Sequence, residues 1–151
     1  MKLDQLQPEF VDFIPKSLQP GTLYISERYM TASHLCACGC GEKVVTPLSP
    51  VDWQLRKGRG TVSLHPSIGN WNYACRSHYW IRHNKVVWAG AMTEQQIALV
   101  QARDLADKKK YIDQVNLQQE QAVQNDEARA AQPGTWVRRA WRAVRRLFGG
   151  G

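Results

Sequence analysis

Apolar and polar positions along the chain change their rhythm twice. Up to about residue 91 the apolar residues come in short runs bounded by glycine and proline, the pattern of strands and turns rather than helices. Residues 21–26 follow Pro20 and are rich in β-formers. Residues 43–48 form a second run, stopped by Pro47 and Pro50, and residues 60–64 alternate after the glycine-rich turn at Lys57-Gly58-Arg59-Gly60. Two further runs, 79–82 and 86–89, flank His83-Asn84-Lys85 and predict a hairpin.

The first change comes at Thr93. Thr93-Glu94-Gln95-Gln96 reads as a capping box, with Thr93 as N-cap and Gln96 at the third helical position. From Thr93 to Gln132 there is neither glycine nor proline, and Ala, Gln, Glu, Lys and Leu dominate, so the stretch predicts one long helix. Ile97, Val100, Leu105, Ile112 and Val115 give its first half an apolar stripe; beyond Leu117 it is polar on every face.

Pro133-Gly134 marks the second change. In the segment that follows, Val137, Trp141, Val144 and Phe148 fall on one helical face with Ala140 and Leu147 beside them, and five arginines take the other. The expected organisation is therefore α+β: a small β-rich domain over residues 1–91, a long polar helix over 92–132, and a short amphipathic C-terminal helix within 133–151.

Charge sharpens that division. The formal net charge of +7 resolves into +4 over residues 1–91, −2 over 92–131 and +5 over the last twenty residues. The basic character is thus largely a tail effect, which bears on partners and not on fold. Trp136, Arg138, Arg139, Trp141, Arg142, Arg145, Arg146 and Phe148 form a surface suited to an anionic membrane or a partner's groove. No run approaches the ~20 apolar residues of a transmembrane helix, and the N-terminus lacks the apolar core of a secretory signal. A cytoplasmic protein is expected, with the tail as a peripheral membrane contact.

In the cytosol thiols are kept reduced, so four cysteines call for a reason other than disulfides. His34-Leu35-Cys36-Ala37-Cys38-Gly39-Cys40-Gly41 puts three thiols within five residues, and Cys75-Arg76-Ser77-His78 follows downstream. Cys-x-x-His is ordinary zinc-ligand spacing, and Gly39 and Gly41 free the backbone to turn tightly about an ion. Thiolate softness selects Zn2+. Five candidates compete for four places. Cys38, Cys40, Cys75 and His78 would make a closed structural site, with Cys36 an alternate ligand or a free thiol; three ligands would leave a position for a catalytic water. His34 and His65 are weaker candidates.

Between the two halves of the ligand set, residues 63–72 are dense in hydroxyls, amides, glycine and tryptophan. A metal-pinned scaffold can present such a loop for function. Ser67 is a candidate catalytic residue there, although nothing in the spacing alone makes it a nucleophile and no base partner is identified; His65 and His78 are in range along the chain.

At these residues the sequence resembles a bacterial family of small uncharacterised zinc proteins. The shared motifs are Cys-x-Cys-Gly-Cys-Gly at residues 36–41, Thr-Pro-Leu at 46–48, Ser-Leu-x-Pro-Ser-Ile-Gly-Asn-Trp at 63–71 and Cys-Arg-Ser-His-Tyr-Trp-Ile at 75–81. The resemblance covers about residues 5–90. Members are often encoded beside ubiquitin-like proteins and their E1- and E2-like enzymes. It implies a zinc protein, a peptidase that trims or removes a ubiquitin-like modifier, with those proteins as partners. It also implies Cys36, Cys38, Cys40, Cys75 and His78 as the metal set, and leaves Ser63, Ser67, Asn70 and Ser77 in the motif without assigned roles.

Zinc peptidases need a general base, and Glu27 and Glu42 are the only glutamates near the cluster in sequence, so both are candidates to polarise a zinc-bound water. The competing expectation is a non-catalytic zinc-stapled interaction module, the metal making up for a core that a ~90-residue β unit cannot fill. A nucleic-acid-binding protein ranks last, because the metal-binding part shows no basic stripe.

Overall fold

A computed structural model describes residues 1–131. The fold is α+β, with eight strands and one helix among the described residues. The strands are β1 (Gln7–Phe10), β2 (Thr22–Ser26), β3 (Thr31–Leu35), β4 (Lys43–Pro47), β5 (Gln54–Lys57), β6 (Val62–Gly69), β7 (His78–Arg82) and β8 (Lys85–Trp88); the helix is α1 (Glu94–Ala131). They form two four-stranded sheets, β1-β2-β3-β4 and β5-β6-β7-β8, antiparallel except for the parallel β1–β2 pair. Isolated bridges join the sheets at both margins, Gln5 to Lys85 and Leu48 to Trp53.

Alternation does the packing. In β4, Val44 and Thr46 turn inward, and in β7, Tyr79 and Ile81 do, while their neighbours stay partly or wholly in solvent. Leu23, Ile25 and Ala32 from one sheet meet Leu64, Ile68, Tyr79 and Ile81 from the other in a single core. One polar contact crosses that core. The Tyr79 hydroxyl lies 2.8 Å from His34 Nε2 and 3.5 Å from the Ala37 amide, which donates to it. Burial lowers the His34 pKa to about 4, so the ring stays neutral and accepts the tyrosine proton. His34 therefore serves the core.

The β7–β8 turn is the predicted hairpin, tightened by positive φ at His83 (49°) and Asn84 (69°). Three strands lie where no run was expected: β1, β3 and β5. Their residues, such as Gln7-Pro8-Glu9-Phe10 and Gln54-Leu55-Arg56-Lys57, carry little β propensity and are recruited by pairing with stronger neighbours.

The capping box forms as read. The Thr93 amide donates to Gln96 Oε1 at 2.9 Å, and the Gln96 amide to Thr93 Oγ1 at 3.3 Å. Of the apolar stripe only Ile97 is buried; Leu105 and Ile112 are 71% and 56% exposed. Helix-forming residues and a good cap carry α1, not a buried face. The chain divides into two compact units, Met1–Lys108 and the part from Lys109 onward. Within the first, ion pairs of 2.6 Å link Arg76 to Glu94 and Asp52 to Lys108. No helix among the described residues is long and apolar enough to cross a membrane. The expected basic tail helix, from Trp136 to Phe148, lies outside the described residues.

Candidate active site and metal centre

Three of the cysteines leave the end of β3 in a tight knuckle. The Cys36 amide donates to the Glu42 carbonyl at 2.8 Å and the Gly39 amide to the Cys36 carbonyl at 3.0 Å. Gly39 and Gly41 take φ of 84° and 86°, values that side chains rarely adopt, so glycine is what lets the knuckle close. Cys75 arrives from the loop between β6 and β7. The four sulfurs lie within 4.8 Å of one another, close enough to hold a metal ion.

Their chemistry fits one. A tetrahedral thiolate site needs sulfurs about 3.8 Å apart, and Cys36 stands 3.4 Å from Cys38 and 4.0 Å from Cys75. Burial and the neighbouring thiols push Cys38 up to about 12. At Cys75 burial acts in the same sense, but the Ser77 hydroxyl and amide, with Cys38 and Cys40, outweigh it and bring the thiol down to about 7. Crowded thiols cannot all ionise unless a cation takes up their charge. Asn70 and Ser77 complete the surround, both buried. The Asn70 amide donates to Cys36 Sγ at 3.4 Å, and the Ser77 hydroxyl sits 3.0 Å from the same sulfur. Such partners orient metal ligands and raise affinity.

His78, the fifth candidate, stands outside this cluster of four sulfurs. Its Nε2 lies 3.0 Å from Ser67 Oγ and its Nδ1 3.3 Å from the Gly90 carbonyl. Strand periodicity explains the separation. His78 opens β7 and turns to the opposite face from Tyr79, whereas Cys75 and Ser77 belong to the preceding loop. Cys36 supplies the fourth sulfur of the cluster.

Ser67 reaches His78 through a bulge. Leu64 pairs with Ile81 and Ile68 with Tyr79, so β6 spends four residues where β7 spends two. The three residues between, His65-Pro66-Ser67, face the single Trp80 of β7, with His65 still paired to Gln54 of β5, and Ser67 Oγ comes within reach of His78. Carbonyls only accept, so Nδ1 carries the proton that meets Gly90, and Nε2 is left as the acceptor for the Ser67 hydroxyl. Trp71 and Trp80 frame the imidazole, with ring centroids 4.9 Å and 5.6 Å away. A Cβ at Gly69 would run into the indole of Trp71, so glycine is what admits that ring. Both Ser67 and His78 are half-buried, open to a substrate from one side.

The glutamates are placed elsewhere. Glu27 pairs with Lys57 at 2.5 Å, and the cluster contains no carboxylate, Glu42 included. Ser63 accepts the His83 amide at 2.9 Å and so steadies the β7–β8 turn. His65 is exposed on the bulge. Sequence reasoning missed Gly90, whose carbonyl sets the His78 tautomer, and Trp53, whose indole donates to the Ser67 carbonyl at 3.4 Å. A main-chain carbonyl leaves no residue-type signal, so Gly90 was not legible; Trp53 became so only once β5 was paired.

Compared with known families, residues 10–89 match the one described as "Bacterial ubiquitination-like system serine protease (BubE)". No curated protein and no solved structure matches the chain.

Proposed function

The chain belongs to the BubE family, and we propose that it is a serine peptidase with Ser67 as nucleophile and His78 as general base. One observation carries this reading: the 3.0 Å contact between Ser67 Oγ and His78 Nε2, with Nδ1 turned to the Gly90 carbonyl. Nucleophile, base and orienting acceptor stand in the order that acyl transfer requires. The carbonyl takes the orienting position that a carboxylate holds in other serine peptidases.

Chemistry follows from that order. Ser67 Oγ bonds to the scissile carbonyl carbon while its proton moves to His78 Nε2. The imidazolium returns the proton to the leaving amine as the C–N bond breaks, and an acyl-serine remains. Water then attacks the ester, again giving its proton to His78, and the acid product leaves with Ser67 restored. The Nδ1 contact to the Gly90 carbonyl orients the ring between the steps.

Cys36, Cys38, Cys40 and Cys75 would hold Zn2+, whose bound chemistry is to cross-link the knuckle after β3 to the loop before β7. Four sulfur ligands leave no place for a reacting water, so Glu27 and Glu42 lose the role that a zinc peptidase would give them. The family's description names a ubiquitination-like system, which supports a ubiquitin-like protein as the substrate to be trimmed or released, and its E1- and E2-like enzymes as associated proteins. An interaction module without chemistry would have no use for the Ser67–His78 alignment.

The test is covalent labelling of the purified chain with a small fluorophosphonate, located by mass spectrometry. Ser67 should carry the label, and Ser67→Ala should abolish it. Modification elsewhere, or none, would refute the assignment.

A further inference from the structure

The two sheets meet poorly at one margin. Leu48 and Trp53 form the single bridge there, and the Trp53 amide donates to the Pro47 carbonyl at 3.1 Å. Beyond that point β5 pairs with β6 alone, and among the described residues its outer edge has no strand partner. Into this gap opens a groove of about 440 Å³ lined by Met30, Leu48, Pro50, Trp53 and Leu55, with Glu27 and Lys57 in its wall.

Three features argue for what occupies it. First, one end of the groove is tied to the backbone of the nucleophile, because the Trp53 indole in its lining donates to the main-chain carbonyl of Ser67 at 3.4 Å. Second, an unpaired edge strand presents amides and carbonyls that an extended peptide can satisfy, with side chains falling alternately into pockets. Third, the two charges in the wall cancel, since Glu27 and Lys57 pair at 2.5 Å. Apart from Ser49 and Gln54 the remaining lining is apolar, and the volume suits one large aliphatic or aromatic side chain.

We propose that this seam is the substrate subsite of the peptidase: it seats the extended segment beside the scissile bond as an added strand on β5, with an apolar side chain between Met30, Leu48 and Trp53. The inference rests on Ser67 as nucleophile and deepens that reading by naming the substrate class, an extended polypeptide with an apolar residue near the cleaved bond.

The seam also meets a larger surface. Lys57 lies over the ring of Phe10 at 5.0 Å, and Tyr29, next to Met30, packs on Phe13 at 5.2 Å. Phe10, Phe13 and Tyr29 are each at least half exposed. A folded substrate whose extended segment lay in the seam would find apolar ground beside it.

The experiment uses tripeptidyl diphenyl phosphonates bearing Leu, Asp or Lys at each position in turn, with the small fluorophosphonate as reference and the full metal-loaded chain as target. At one position at least, the Leu probe should label Ser67 tenfold or more faster than the Asp probe, the scale expected for burying one leucine side chain. Met30 is 56% exposed, so charge can be introduced there with little demand on the core. Met30→Asp should lower the Leu-to-Lys rate ratio at that position at least tenfold, and Met30→Lys should move the Leu-to-Asp ratio likewise. Labelling of Ser67 by the fluorophosphonate with equal rates for all peptidyl probes would overturn the subsite. So would a preference that neither Met30 variant alters. Failure of the small reagent itself would remove the Ser67 assignment and this inference with it.

Discussion

The Asn70 carboxamide donates to the Ser77 hydroxyl at 2.8 Å, closing the loop that carries Cys75. A backbone bond from the Asn70 amide to the Ser77 carbonyl, 2.9 Å, closes it a second time. Both residues also touch Cys36 Sγ. Just outside the closure lie Ser67 on β6 and His78 on β7. Whatever the four sulfurs hold is therefore tied to the loop that joins the strands carrying Ser67 and His78. On the proposed roles, metal and chemistry would be coupled through that loop and not through a shared ligand.

Asn70→Ala should expose that coupling. It leaves the sulfurs in place but removes a donor to Cys36 and leaves Ser77 short of a buried partner. Metal affinity should fall by roughly 10–100-fold, read by competition with a chromophoric chelator. Unchanged affinity would mean that the amide does not support the centre.

Ligand and catalytic roles separate cleanly between two variants. Cys38→Ser should lose the metal, and with it the folded signal in near-ultraviolet circular dichroism, since binding free energy of a structural zinc is folding free energy. His78→Gln should keep one metal per chain and a native melting curve, yet lose turnover of a small ester by about three orders of magnitude or more. Loss of metal from His78→Gln, measured by plasma mass spectrometry, would return the histidine to the ligand set.

Gly69→Ala tests the packing behind the dyad. The added methyl must displace the Trp71 indole, which stacks against His78. Overpacking of this kind costs about 1–3 kcal/mol. Ester turnover should drop about tenfold while metal content stays at one per chain. Full activity would show that Trp71 does not hold the imidazole.

Asp52 links the body to α1 through Lys108. Burial raises its carboxyl, but the Lys108 ammonium and the Ser49 hydroxyl outweigh this and hold it below the ordinary carboxylate range. A lowered folded value means that the unfolded chain binds the proton first. The pair's contribution is therefore present at neutral pH and is lost as pH falls below about 3.9 toward the folded value. Because Lys108 is half in solvent, Asp52→Asn should cost less than about 1 kcal/mol at pH 7. Urea melts of wild type and variant should differ at pH 7 and converge in acid. A gap that widened in acid would reverse the sign.

Much of this protein was settled by local sequence. Short runs of β-formers bounded by glycine, proline and turn residues marked β2, β4, β6, β7 and β8, and the capping box and absence of glycine and proline marked the start and extent of α1. Cysteines spaced by single residues beside glycine could hardly serve anything but a soft metal, which is why the cluster was readable before any fold. Tertiary structure alone decided which histidine took part and in what. Cys75 and His78 share a motif at ligand spacing, but the start of β7 falls between them and turns the imidazole to the far side from the sulfurs. Ser67 meets it only because a bulge in β6 spends two extra residues at that point; Pro66 is compatible with a bulge there but does not say which side chain it turns toward His78. The orienting Gly90 carbonyl belongs to the backbone that every residue has. Spacing along a chain can predict what a single turn or loop brings together; across paired strands, register decides, and register is a property of the whole sheet.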